Sequence, residues 1–262
     1  MRALIPMLLA AAAGAAGAAN IPVMVTVPAG SFTMGRDDGP EDERPAHTIM
    51  LTAFRIDRLP VTNHEFAGFL NAAGLRAPDG AKRYDDDDAD ARIHLRSGRW
   101  QADAGYGDHP VVEASWMGAR DFCAWRGARL PTEAEWEKAA RGTDRRLYPW
   151  GNALPDATRA RFGSAFNATT PVTAHPAGAS PYGALDMAGN AWEWVSSVYR
   201  AYPYRADDGR EQNRPGPVRS TRGGGHDSSA EEIMATQRGR QLSRNPRAGH
   251  HNISFRCAAD AA

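Results

Sequence analysis

Frequent glycine and proline restrict this chain to short regular elements. The 262 residues include 26 glycines and 18 prolines, and both residue types favour turns and interrupt helices and strands. From Leu147 onward the chain has almost no helical periodicity and runs as aromatic and Gly/Pro-rich segments. We therefore expect a fold that is low in regular secondary structure and rich in loops.

Three short helices are still predicted, because each combines an N-cap residue with an apolar face. The N-caps are Thr62, Ser115 and Thr132. Thr62 and Thr132 each begin a capping box, since a glutamate follows three residues later in both segments. The second helix is expected over residues 116–126, with Trp125 on its apolar face. No segment repeats at a fixed period, which excludes a solenoid.

Strands are predicted where β-branched or alternating residues lie between turn residues. The segments are 21–27, a short strand after Gly30, 47–56 and a final strand at 255–257. Short helices combined with such strands in a loop-rich chain give an α+β domain. No domain boundary is visible, so residues 20–262 are expected to share one core.

Residues 1–19 are predicted to be a signal peptide. Met1 and Arg2 give a short basic start, residues 3–13 are apolar, and residues 16–18 offer the small side chains that signal peptidase requires. The apolar run is too short to span a membrane, and no second run follows it. We therefore expect a periplasmic or secreted protein without a membrane span. A disordered alanine-rich extension is the alternative interpretation.

The interpretation of the two cysteines, Cys123 and Cys257, depends on the compartment in which the protein folds. In a reducing cytosol they would be buried thiols, whereas in an exported protein they are candidates for one disulfide. Closing so long a loop would restrict the unfolded chain by roughly 4–5 kcal/mol in the chain-entropy model. The predicted export favours the disulfide.

The charge balance gives no support to a nucleic-acid partner. Lys and Arg number 31, Asp and Glu number 31, and the formal net charge is +0, so no global field attracts nucleic acid or an anionic membrane. A run of four aspartates at 85–88 predicts a solvated loop, with a cation site as the alternative. Arginines in the last third either bind an anionic ligand or peptide or form solvated surface. These are Arg222, Arg238, Arg240, Arg244 and Arg247.

A series of short motifs follows a fixed order through the chain. They are PAGSFTMG at 28–35, VTNHEF at 61–66, HPVV at 109–112 with SW at 115–116, RLPTEAEWE at 129–137, YPWG at 148–151, DMAGNAWEW at 186–194, RGGG at 222–225 and SFRCA at 254–258. In this order the set resembles the formylglycine-generating-enzyme family, also called sulfatase-modifying factors. Each motif alone is weak, but the ordered set is specific and covers nearly all of the chain after the predicted leader.

The resemblance implies a formylglycine-generating-enzyme fold related to C-type lectins, with many loops and structural calcium. Cys123 and Cys257 fall where the family has one of its structural disulfides, in agreement with the export argument. The five tryptophans of the motifs fit a packed family core better than a sugar-binding platform.

A family calcium site is matched residue by residue in the DMAGNAWEW motif. The matching positions are Asp186, Gly189, Ala191 and Glu193. Ca²⁺ prefers oxygen ligands, which two carboxylates and the carbonyls of a tight glycine turn provide. The alternative is that Asp186 and Glu193 cap and pair locally. The second calcium loop of the family is shortened here and carries Arg161 in place of an oxygen ligand, so no calcium is predicted there.

The chain departs from the family at the segment that follows the RGGG motif. Active members have two cysteines there, which hold copper and activate oxygen. Here residues 225–233 contain none, and Ser228 and Ile233 occupy approximately the two cysteine positions. Copper(I) prefers soft thiolates, which neither side chain supplies. The family's own copper chemistry is therefore excluded or strongly changed.

Other residues near this segment are candidates for a replacement metal site. The resembling family includes oxidases and non-haem iron enzymes without the cysteine pair. His226, Asp227, His250 and His251 offer two histidines and a carboxylate, the donor set of an iron-binding facial triad. We take His226, Asp227 and Ser228 as candidate catalytic residues. Alternatively, His250 and His251 lie in an exposed turn and His226 donates one hydrogen bond to the backbone.

Two functions follow as hypotheses. The first is an exported oxidase-type factor for protein or peptide maturation, with structural calcium and with iron or copper as its redox metal. The second is a non-catalytic pseudoenzyme that binds a peptide, glycan or partner protein through the same pocket. No sequence feature fixes an oligomeric state.

Overall fold

The structure, a computed structural model, describes residues 23–214, 216–239 and 245–261. The predicted leader, Arg240 and Arg244 lie outside these residues. The described strands are β1 Met24–Val27, β2 Gly30–Met34, β3 His47–Leu51, β4 Phe54–Asp57, β5 Ile93–Arg96, β6 Arg99–Ala102, β7 Trp192–Val198, β8 Arg219–Arg222, β9 Ile253–Phe255 and β10 Ala258–Asp260. The α-helices are α1 Asn63–Ala73, α2 Trp116–Trp125 and α3 Glu133–Arg141. The predicted loop-rich α+β class is confirmed.

The strands form four small sheets. Strand β4 lies between β1 and β10, and β7 lies between β8 and β9. Strands β2 and β3 form one hairpin, and β5 and β6 form another. All pairings are antiparallel except that of β7 with β9, which is parallel. This parallel pair sets the position of the candidate site described below.

The helix starts agree with the predictions because they depend on local hydrogen bonds. Thr62 and Thr132 each form a complete capping box with the glutamate three residues later. The hydroxyl of Ser115 accepts a hydrogen bond from the Gly118 amide at 3.0 Å. Trp125 departs from the prediction, since 49% of its surface is exposed. No helix in the described part of the chain has the length and apolar character needed to cross a membrane.

Two strand predictions needed correction. Residues 47–56 form two strands, because β3 pairs with β2 whereas β4 pairs with β1 and β10, and the chain crosses between sheets at 52–53. The predicted strand 255–257 divides in the same way, because β9 ends at Phe255 and β10 begins at Ala258. The Cys257 amide donates to the Asp57 carboxylate at 2.9 Å in place of a strand ladder.

The disulfide between Cys123 and Cys257 is present and confirms that prediction. It joins α2 to the segment between β9 and β10 across a sequence separation of 134 residues. Phe66, Phe122 and Phe255 are buried beside it, and their rings lie 5.4–5.9 Å apart. The bridge therefore closes the main aromatic core between α1, α2 and β9.

Two arginines of the last third are core residues rather than a basic surface. Arg222 and Arg238 are fully buried and pair with Glu133 and Glu137 of α3. Burial alone would raise the pKa of Glu133, but the Arg238 and Arg222 guanidiniums outweigh it and hold that pKa below its ordinary value of 4.5. Of the five arginines predicted as ligand-binding or surface groups, these two are therefore structural.

We expect Glu133→Gln to destabilise the protein by about 3–5 kcal/mol at pH 7, because two buried guanidiniums lose a charged partner. The midpoint of urea unfolding measures this. A lowered folded pKa means that the contribution of Glu133 is full above pH 4.5 and is lost as the pH falls through the folded pKa. The difference in urea midpoint between wild type and variant should therefore disappear at acidic pH. Exposed Glu231→Gln is the control, with a change within about 0.5 kcal/mol; equal midpoints for the two variants would contradict the prediction.

Candidate functional site

Three loops meet at one end of the β8–β7–β9 sheet. The antiparallel pairing of β7 with β8 sets the start of β7 beside the end of β8, with Glu193 opposite Arg222. The parallel pairing of β7 with β9 sets the start of β7 beside the start of β9, with Trp192 opposite Ile253. The loop before β7, the loop after β8 and the turn before β9 therefore converge.

The second residue of the loop after β8 is a glycine that the turn requires. Gly224 has a φ of 75°, and a Cβ atom at this position would lie 2.6 Å from the Ile233 side chain. A larger residue would strain the backbone and displace Ile233. The RGGG motif thus lets the chain reverse directly in front of His226.

His226 is fully buried with one ring nitrogen unpartnered. Its Nδ1 lies 3.0 Å from the carbonyl oxygen of Asn190. A carbonyl can only accept, so Nδ1 carries the proton and Nε2 keeps its lone pair. Within the described residues Nε2 is buried and has no hydrogen-bond partner. Burial lowers the pKa of His226 and favours the neutral ring, so the site holds an imidazole ready to bind a metal or accept a proton.

Asp227 and His251 lie next to this ring. The Asp227 carboxylate is 3.7 Å from His251 Nε2 and accepts from the Asn252 amide at 3.2 and 3.3 Å. The neighbouring His251 is the main cause that lowers the pKa of Asp227 to about 2. The His226 and His251 ring centroids are 6.4 Å apart. An ionised carboxylate thus lies near two imidazoles.

The two adjacent histidines have different surroundings. His250 has a buried Nε2 without a partner in the described part of the chain, and its ring lies 5.9 Å from that of Trp194. Burial lowers the pKa of His250. His251 is partly exposed and packs against Phe166, with ring centroids 4.3 Å apart. Of the two, His251 is the one beside Asp227.

The two positions that carry cysteines in active members supply no thiolate. The Ser228 hydroxyl accepts from the Gly225 amide at 3.0 Å and is nearly buried. Ile233 is fully buried in an apolar cluster with Tyr148 and Ala188. Both cysteines of the chain form the disulfide. A copper–thiolate centre therefore does not fit this pocket.

Two carboxylates of the predicted calcium site, those of Glu193 and Asp186, already accept hydrogen bonds from other residues. Glu193 receives the Arg256 guanidinium at 2.6 and 2.7 Å and the Trp136 indole N–H at 2.7 Å. Asp186 accepts from the Asn190 amide at 2.8 Å with one oxygen. Its other oxygen is buried and has no partner among the described residues. Burial raises the pKa of Asp186 to about 7. Calcium at this turn stays a prediction, with Asp186 as its best-placed oxygen.

One further group of possible metal ligands was missed in the sequence. Carboxylate oxygens of Asp88, Asp90 and Glu113 lie within 4.8 Å of one another. Among the described residues, these three carboxylates have the close spacing of metal ligands, whereas the histidines near Asp227 do not. One sequence feature could have indicated this group: Glu113 is an acidic residue within the otherwise apolar segment VVEA.

The histidines and carboxylates described above lie at one end of the β8–β7–β9 sheet of a loop-rich α+β domain. The model of the sulfatase-modifying factor enzyme 1-like domain matches residues 10–261. The chain belongs to this family.

Relatives that are covered almost completely include a formylglycine-generating enzyme and a homologue that is named as inactive. The formylglycine-generating enzyme of Thermomonospora curvata is 33% identical, with 90% of this chain and 93% of that protein covered. The inactive C-alpha-formylglycine-generating enzyme 2 of Bos taurus is 34% identical, with 91% and 88% covered. The solved structure of PvdO from Pseudomonas aeruginosa superposes with a TM-score of 0.70 at 27% identity, covering 92% of this chain and 95% of that one.

Other relatives are much longer than this chain. The serine/threonine-protein kinase pkn1 of Chlamydia caviae is 39% identical over a match that covers 90% of this chain but 37% of the kinase. The hercynine oxygenase of Mycolicibacterium smegmatis is also 39% identical, with 73% of this chain and 49% of the oxygenase covered. The chain thus spans less than half the length of these proteins, and their activities as whole proteins are not carried over to it.

Calcium titration tests the Asp186 site. We expect calcium chloride to raise the Tm of the metal-free protein, since a ligand at 100 times its Kd stabilises by about 2.7 kcal/mol per site. Asp186→Asn should lose a large part of this rise, because the variant lacks the unpartnered carboxylate oxygen. Asp207→Asn, an exposed aspartate outside the turn, is the control. An undiminished rise in Asp186→Asn would contradict the calcium prediction.

Proposed function

We propose that this chain is an exported oxidase-type maturation factor for a protein or peptide, with a redox metal held by histidine and carboxylate. The observation that carries the proposal is the buried, unpartnered Nε2 of His226 beside the Asp227–His251 pair. A buried polar atom without a partner is costly in a structural role. A ligand that accepts the lone pair removes that cost.

The donor set fits iron better than copper. Neutral imidazole and ionised carboxylate are the ligands of non-haem iron centres, whereas copper(I) prefers the thiolates that this pocket lacks. His226, Asp227 and His251 would hold the metal, with His250 adjacent. Their ligand atoms are spaced more widely than those of Asp88, Asp90 and Glu113, so binding would have to draw them together. Iron bound there would supply one-electron chemistry with oxygen.

The protein's own groups prepare the site. The Asn190 carbonyl fixes the tautomer of His226 and so directs its lone pair away from the backbone. The Asn252 amide orients the Asp227 carboxylate. The side chains of Asp227 and His251 are 33% and 29% exposed, so the pocket opens to solvent on this side and a substrate segment can reach it.

Export is supported by the disulfide and by the predicted leader. The bridge between Cys123 and Cys257 is expected to persist in an oxidising compartment such as the periplasm or the extracellular space. Two of the relatives, a formylglycine-generating enzyme and a hercynine oxygenase, support oxidation as the class of reaction.

A second candidate is a non-catalytic protein that binds a peptide, glycan or partner protein. Ser228 and Ile233 at the cysteine positions favour it, because the surrounding disulfide and core are retained while the thiolates are absent. The relative named as an inactive formylglycine-generating enzyme supports the same possibility.

Elemental analysis of the full chain, purified without chelator and after anaerobic reconstitution with Fe(II), tests the proposal. We expect near-stoichiometric iron in the wild type and at least about a tenfold weaker affinity in His226→Ala. Exposed His64→Ala is the matched control and should bind iron as the wild type does. Uptake of calcium but no redox metal would favour the binding protein, and full retention of iron in His226→Ala would refute the proposed ligand.

A further inference from the structure

Glu113 is a buried acid without a partner. Its residue is 2% exposed, and no hydrogen bond or ion pair from the described part of the chain reaches its carboxylate. Burial is the main cause that raises the pKa of Glu113, and Asp88, Asp85 and Asp90 add to it. A buried carboxyl of this kind is destabilising unless a cation or a hydrogen-bond donor accompanies it.

Two aspartates of the neighbouring loop converge on this carboxyl. Oxygens of Asp88, Asp90 and Glu113 all lie within 4.8 Å of one another. Calcium–oxygen distances are about 2.3–2.6 Å, so three oxygens at such separations can contact a single ion. The spacing itself is therefore that of a cation site.

The lysine of this loop, Lys82, forms ion pairs with other aspartates. Lys82 Nζ lies 3.7, 3.0 and 2.6 Å from carboxylate oxygens of Asp85, Asp86 and Asp87. Within the described residues no lysine, arginine or histidine forms an ion pair with Asp88, and the same holds for Asp90 and Glu113. Three carboxyl groups thus meet without a cationic side chain from the described residues, although like charges at this distance repel one another.

We propose that Asp88, Asp90 and Glu113 bind a Ca²⁺ ion, separate from any calcium at the Asp186 turn. The donors are all hard oxygens, which suit Ca²⁺ and not the softer transition metals. Waters complete the coordination on the exposed side of Asp88. For Asp88, the last residue of the aspartate run, the proposal favours the cation site over the solvated loop.

The ion would hold together segments that border the histidine pocket. The Glu113 amide donates to the His250 carbonyl at 3.0 Å. Asp90 accepts a hydrogen bond from the Asn167 side chain, and Asn167 follows Phe166, which packs on His251. Calcium binding thus stabilises one wall of the pocket. This role does not depend on whether the pocket is catalytic.

Calcium binding to the full chain, made metal-free with a chelator and then titrated with calcium chloride, tests the proposal. Isothermal titration and equilibrium dialysis give the affinity and the number of ions bound. Asp88→Asn and Glu113→Gln should each lose one ion per chain, or bind it at least about tenfold more weakly, because ligand charge sets the affinity. Asp87→Asn is the matched control: it removes the same charge from the same loop but leaves the three ligands intact.

The variants also separate this site from other effects. Asp88 is exposed, so Asp88→Asn should fold as the wild type does, which circular dichroism without calcium checks. Asp186→Asn should still bind the calcium ion that Asp88→Asn loses. If Asp88→Asn and Glu113→Gln bind as many calcium ions as Asp87→Asn, with the same affinity, the proposal is wrong.

Discussion

The buried pair of Arg256 and Glu193 is the interaction on which the rest of the fold depends. Arg256 donates to both Glu193 oxygens. It also donates to the backbone carbonyls of Asp57 at the end of β4, of Arg58 and of Leu185. Glu193 accepts in addition from Trp136 of α3. Two charges in the core have a large desolvation cost, and loss of either partner costs about 3–5 kcal/mol. Such a pair is therefore better understood as fixing one arrangement of α3, β4, β7 and β9 than as a simple source of stability. The disulfide at Cys257, one residue further on, fixes the same junction to α2.

This junction also determines where chemistry can occur. Because β7 pairs in parallel with β9 and antiparallel with β8, three loops end on the same side of the sheet. The pocket residues come from these loops, whereas Glu193 and Arg256 lie in the layer beneath them. The carboxylate that the family resemblance assigns to calcium is thus also the partner of a core arginine. Calcium at the predicted Asp186 turn would therefore be coupled, through Glu193, to the packing of β7.

The sequence predicts those features that local bonding decides. The capping boxes at Thr62 and Thr132 involve residues three positions apart, and the motif order identifies the family and its fold. Features that depend on distant partners were not predictable in the same way. Arg222 and Arg238 were taken for a ligand-binding or surface group because nothing near them in the chain shows that Glu133 lies opposite. Strand β7 was missed because all but one of its residues are buried, so it lacks the alternation of a half-exposed strand. The aspartate run was assigned to solvent because Glu113, which completes the cluster, is more than twenty residues away.

The residues around His226 differ from those that the family resemblance leads one to expect, although the fold of the family is retained. Loss of two thiolates removes the soft ligands and leaves Ser228, whose hydroxyl oxygen accepts from the Gly225 amide, and Ile233, which fills apolar space. What remains is an imidazole kept neutral by burial and a carboxylate kept ionised by its neighbours. The surroundings lower the pKa of both adjacent residues, which favours a neutral His226 and an ionised Asp227. A histidine that served only packing would use both ring nitrogens or expose one to water. His226 does neither, because its Nε2 is buried and has no partner among the described residues. This supports a ligand-binding role for His226 rather than a purely structural one.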